Sequence, residues 1–159
     1  MAEILQAELR LDEWDKFVKG LGKKLKNITK TKEFGGIISA TVFNDIMDHF
    51  DKETGPDGSW VAWSKVYAEH MRRIGRSGNK KLQFNRRLVK SITPKSWRTD
   101  GTGILFFNNA KTKSDFAYAK AHDEGGSVNG RPPQRKFMWL SNKAMSDIID
   151  KTERWMAEG

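Results

Sequence analysis

Residues 118–141 constrain the fold of this chain more than any other stretch. They hold two patterned blocks, Tyr118-Ala119-x-x-His122-x-x-Gly125 and Pro133-x-Arg135-x-Phe137-x-x-Leu140-Ser141, on either side of a glycine-rich loop over about 124–132. The run Gly125-Gly126-Ser127-Val128-Asn129-Gly130 cannot hold a regular element, because ordering glycine backbone at that density is costly. Two anchored segments bracketing a flexible loop point to a docking surface more than to a catalytic pocket. Ser141 is a good N-cap for a final helix, with Ala144, Ile148, Thr152 and Trp155 with Met156 on one stripe.

The 159 residues suit one domain, 1–159, large enough to bury a core without cross-links. Cysteine is absent, which removes disulfides, thiol nucleophiles and Cys-based zinc sites, and fits a reducing cytosol. Residues 1–8 carry acids where a signal peptide needs a basic start and an apolar run. No stretch approaches the roughly 20 apolar residues that span a bilayer. A soluble, intracellular protein with no membrane partner is expected.

The formal net charge is +9, and its placement is uneven. No Asp or Glu lies between Glu69 and Asp100, while Arg72, Arg73, Arg76, Lys80, Lys81, Arg86, Arg87, Lys90, Lys95 and Arg98 fall in that window. Outside it, the remaining 19 Lys and Arg face 20 acids, so the basicity is local. A mobile basic segment over about 72–90 is expected. It is either a solvated arm, a contact for an acidic protein surface, or a contact for nucleic acid through phosphates, with Phe84 and Trp97 stacking on bases.

Leu11, Trp14, Val18, Leu21 and Leu25 recur at helical spacing and predict an amphipathic helix. A second helix is expected over about Lys32 to Lys52, where the apolar residues from Phe34 to Phe50 spread over roughly 220° of the circumference. Such a helix is either sandwiched within the domain or covered in part by a neighbouring subunit. Thr54-Gly55-Pro56-Asp57-Gly58 is a turn cluster, and Ser64 is placed to cap a third helix. Trp60 and Trp63 are core lids or interface anchors. Thr93 to Trp97 and Ile104 to Phe107 read as a hairpin around residues 99–103, Phe116 and Tyr118 open a strand or short helix, and Arg135 to Leu140 suits an edge strand. Helices enclosing an antiparallel β-sheet make an α+β domain.

Catalytic chemistry is sparse. None of His49, His70 and His122 has a partner at metal-ligand spacing, and adjacent residues such as His122-Asp123-Glu124 rarely converge on one ion. A structural hydrogen bond is the first reading of His122, and acid–base work with Asp123 the second. No phosphate-binding glycine loop and no Gly-x-Ser-x-Gly turn occurs. These absences predict no enzyme, no cofactor and no metal.

Four blocks in order resemble the bacteriophage virion morphogenesis (tail completion) family, over roughly residues 45–150. The first is Gly58-x-Trp60-x-x-Trp63-Ser64, where the family tends to have Gly-x-x-Trp-x-x-Leu-Ser. The second, Leu82-x-x-Asn85-Arg86-x-Leu88-x-x-Ser91, is similar to Leu-x-x-Thr-Gly-x-Leu-x-x-Ser, with Arg86 at the family's glycine. The Tyr118 block keeps every family position. The Pro133 block is similar to Pro-x-Arg-Pro-Phe-x-x-Leu-Ser, with Lys136 for the second proline.

The resemblance implies a tail-terminator-like α+β fold, an antiparallel sheet flanked by helices. It also implies a non-enzymatic structural protein that completes the tail and helps join it to the head, in the host cytoplasm during assembly and then in the virion. Its expected partners are copies of itself in a ring, commonly hexameric, with the tail tube or the neck and connector proteins and the DNA passing through. The residues expected to carry assembly are Trp60, Trp63, Tyr118, His122, Arg131, Arg135 and Phe137. Arg135 is expected to hold a carboxylate bidentately and Phe137 to sit in the core. The residues expected to face a partner or DNA are Arg72, Arg73, Arg76, Lys80, Lys81, Arg86, Arg87 and Lys90. The alternative is a basic nucleic-acid-binding protein.

Overall fold

The computed structural model describes residues 31–99, 104–108, 118–125 and 133–158; the expected helix over 11–25, Phe116, the 126–132 loop and Arg131 lie outside them. Helix α1 (Thr31–Lys52) forms where Phe34, Ile38, Val42, Ile46 and Phe50 recur every fourth residue, and all five are buried. Burying each side chain of that size contributes roughly 1.5–3 kcal/mol. The stripe packs on α5 (Asn142–Glu158), whose Ala144, Ile148 and Thr152 are buried in turn. The Phe34 and Trp155 rings close one end at 5.2 Å. Ile37, Phe43 and Met47 are half-buried against the same core, so the chain itself covers much of the wide apolar arc of α1.

Between these helices lie short elements. Strand β1 (Thr54–Gly55) pairs antiparallel with β2 (Gly58–Ser59) around the Pro56-Asp57 turn. Ser64 caps α2 (Lys65–Arg73), its hydroxyl accepting the Tyr67 N–H at 3.2 Å. Helix α3 (Arg87–Ser91) follows a loop, and β3 (Trp97–Thr99) pairs antiparallel with β4 (Ile104–Phe106), Trp97 opposite Phe106. β3 lies on α1 so closely that a Cβ at Gly35 would sit 2.2 Å from the Trp97 ring. Helix α4 (Tyr118–Glu124) precedes the final strap and α5.

The architecture is α+β in the broad sense: helices with two two-stranded antiparallel ladders among the described residues. Two strand expectations are corrected. β3 begins at Trp97, not Thr93, because Thr93 and Ser96 exchange turn hydrogen bonds (Ser96 N–H to Thr93 O, 2.9 Å; Thr93 N–H to Ser96 Oγ, 3.0 Å). Residues 135–140 are not a strand, since side chains and isolated main-chain groups occupy the hydrogen-bonding positions that a ladder would use. Arg86 takes φ 57°, so arginine adopts the left-handed conformation at the position where the family pattern has glycine. No helix among the described residues is long and apolar enough to cross a membrane.

Candidate functional site

The strap at 133–141 is the meeting point of the sequence blocks. Asp123, at the end of α4, is buried, and its Oδ1 accepts the N–H groups of Phe137 and Met138, each at 2.8 Å. The Arg135 N–H donates to His122 O at 2.7 Å, and Gln134 Nε2 donates to Asp123 O at 3.0 Å. Gly125 ends α4 at φ 69°, and a Cβ there would lie 2.7 Å from Gln134 Cα. Both the conformation and the close approach therefore require glycine at this position. From the other side, Trp60 Nε1 donates to Lys136 O at 2.9 Å, and its ring stands edge-on to Phe50 at 5.5 Å.

Arg135 is 6% exposed, and it grips the chain entering α2: Nε donates to Val61 O at 3.0 Å and Nη2 to Ala62 O at 3.3 Å. The carboxylate partner expected for this guanidinium is replaced by two carbonyls, those of Val61 and Ala62. Burial lowers its pKa, against the raising fields of Tyr67 and Glu53. Phe137 is fully buried between Phe50 and the strap's neighbours, its ring 5.1 Å from that of Phe50.

A second set of polar contacts closes the strap's far end. Asp45 on α1 accepts both the N–H and the hydroxyl of Ser141, at 2.8 and 2.6 Å, while Ser141 Oγ accepts the Ala144 N–H and caps α5. One turn on, His49 is buried, stacks on Trp139 at 4.1 Å and donates from Nδ1 to Phe137 O at 3.1 Å. Burial lowers its pKa, with the Phe137 carbonyl and the nearby Asp45 raising it.

Beside the strap lies a half-open groove of about 800 Å³. Trp63, Tyr67 and Phe84 give it an aromatic wall, with the Trp63 and Tyr67 rings edge-on at 5.5 Å. Lys80, Arg87, His122 and Arg135 are its charged or titratable lining, and no acidic residue lines it among the described residues. The His122 Nδ1 is buried without a hydrogen-bond partner. Burial, and then the Arg135 cation, push the His122 pKa down to about 4, so the ring is neutral at neutral pH. Asp123, next in the chain, turns its Oδ1 to the strap, where it holds the Phe137 and Met138 N–H groups.

The basic window is less bare than its sequence suggests, because acids from outside fold back onto it. Arg72 and Arg73 pair with Glu69, Lys80 with Asp51 at 3.2 Å, and Lys81 with Glu53 at 3.1 Å. The Lys81 N–H also donates to Glu53, and the Arg76 guanidinium lies 4.5 Å over the Phe84 ring. Among the described residues, Arg86, Arg87 and Lys90 meet no carboxylate.

No family model, curated protein sequence or solved structure matches the chain. The blocks themselves do converge: Trp60, His122, Arg135 and Phe137 meet at the strap, and Trp63 faces the groove. Trp60 is 5% exposed, so it serves as a core lid rather than a free interface anchor. Tyr118 opens α4. Sequence reasoning missed Asp45 and the strap-holding roles of His49 and Asp123. The first two carried a faint signal, an acid and a histidine one turn apart beside the apolar residues Ile46 and Phe50.

Proposed function

We propose that the chain is a structural assembly protein that completes a phage tail and helps join it to the head, acting as a ring with copies of itself. The observation that carries this reading is the interlock of the resembling blocks. The Gly58, Tyr118 and Pro133 blocks are separate in the chain, yet they bond to one another through Arg135, Trp60 and the His122 carbonyl, across as many as 76 residues. Residues shared with a family in pattern are here the residues that hold the domain together. The groove and the face around it supply a surface for neighbours. The reading assigns no bond-making step to any residue.

A test uses Arg87→Glu, which alters the groove without touching the strap. In a phage carrying it, heads and tails should accumulate separately with the variant protein folded; normal infectious yield would count heavily against the assignment. The nucleic-acid reading draws on Arg86, Arg87 and Lys90 near the exposed Phe84. Phosphate binding should weaken steeply as salt rises, whereas assembly through apolar contacts should tolerate it.

A further inference from the structure

Arg135 is a buried cation whose two hydrogen bonds end on neutral carbonyls, with no ion pair to a carboxylate among the described residues. A buried charge left without a counter-charge is unfavourable. Arg135 lines the groove, and so does His122 with its unpartnered Nδ1. The other charged lining residues, Lys80 and Arg87, are also basic. The large exposed apolar side chains Val61, Val66, Tyr67, Ile74 and Phe84 all come from the 61–84 stretch, and three of them line the groove. The complement of this surface is a short segment carrying carboxylates and apolar side chains together.

The chain itself contains such a segment. Residues 1–15 hold Glu3, Glu8, Asp12, Glu13 and Asp15 against Arg10 alone, interspersed with Ile4, Leu5, Leu9, Leu11 and Trp14. We propose that the groove receives the acidic side chains of residues 1–15 from a second copy of this chain, a carboxylate meeting Arg135 and Arg87 while an apolar side chain meets Trp63, Tyr67 and Phe84. The groove lies by the C-terminal end of α1, where Lys80 meets Asp51 and Gln83 donates to Phe50 O. The helix starts at Thr31, about 30 Å away at 1.5 Å per residue, so the chain enters the described fold at the far end from the groove. A contact between two different surfaces of identical subunits continues from copy to copy, and it closes as a ring where the rotation between copies divides a full turn. The inference rests on the ring reading above and names the contact that would build it.

The chain has no cysteine, so an introduced pair reports without ambiguity. Full-length Leu9→Cys chain is mixed with full-length Val61→Cys chain under mild oxidation, and the mixed disulfide is measured by mass spectrometry. It should form about tenfold faster than with Ala157→Cys in place of Leu9→Cys, and Arg87→Glu in the Val61→Cys chain should remove most of that excess. Adding Glu8→Lys to the Leu9→Cys chain should restore part of it. Equal rates with the control overturn the proposal. So does a doubly substituted chain that closes on itself at a concentration-independent rate faster than mixed dimers form, which assigns the contact to one chain. Protection of Val61→Cys from alkylation by a single-stranded oligonucleotide, with no protein cross-link, assigns the groove to nucleic acid. Failure here with head–tail joining unaffected by Arg87→Glu removes both readings, whereas failure here with joining lost removes only this contact.

Discussion

Arg135 and Arg72 show how differently two parts of this molecule use the same side chain. Arg135 is 6% exposed and ends on carbonyls 74 and 73 residues away in the chain. The Arg72 side chain is 70% exposed and ends on Glu69, three residues back on the same helix. The first bond can form only when distant segments have already met, so it reports on the fold. The second forms wherever α2 forms and competes with water throughout. Polar groups around the strap are therefore structural and interdependent, while those on the basic face adjust charge and remain available to a partner.

The largest expected effect lies at the strap. Asp123→Ala would leave two buried N–H groups without an acceptor, at about 2 kcal/mol each, for a loss of about 4 kcal/mol in urea unfolding. Asp123→Asn keeps an oxygen in place and should lose far less, since burial already raises the pKa of that carboxyl. Equal losses in the two variants would break the distinction between a held backbone and a merely filled space.

The next effect is in pH. His122 has a folded pKa of about 4 against an ordinary 6.5, so between those values the unfolded chain binds more protons. Stability should fall as pH drops through that window, by about 3 kcal/mol in total. His49, lowered as well, acts in the same direction. Asp123 acts in the opposite direction: its raised pKa adds stability as pH falls toward 3.8. His122→Asn should flatten the slope measured by thermal unfolding from pH 6.5 to 4, and an unchanged slope would move its source elsewhere.

The smallest effect sharpens the other half of the comparison. Glu69→Gln removes the partner of Arg72 and Arg73, and should leave the unfolding midpoint where it was. A clear drop would show that the basic face contributes to the fold after all.

The long helices were legible because their signals are local. The four-residue recurrence from Phe34 to Phe50 and the Ser64 and Ser141 caps appear at the predicted places. The strap was misread as an edge strand because its bonding partners, Asp123, Trp60 and His49, lie up to 88 residues away in sequence and leave no periodic trace. The ion pairs of the basic window left no trace in the sequence for the same reason. Its bareness is real along the chain, but Asp51 and Glu53 reach it through space. The groove could not be foreseen at all, since Trp63, Arg87 and Arg135 come to it from three separate segments.

The irregular strap has one more consequence. A β-ladder repeats, so a strand can slide two positions along its neighbour and find equivalent partners. Residues 135–141 meet an indole, a carboxylate, an imidazole and a second carboxylate in an arrangement that occurs once. No shifted alignment offers the same sequence of donors and acceptors, so this segment has a single seating, and a one-residue insertion between Arg135 and Ser141 should be rejected outright rather than absorbed as a bulge.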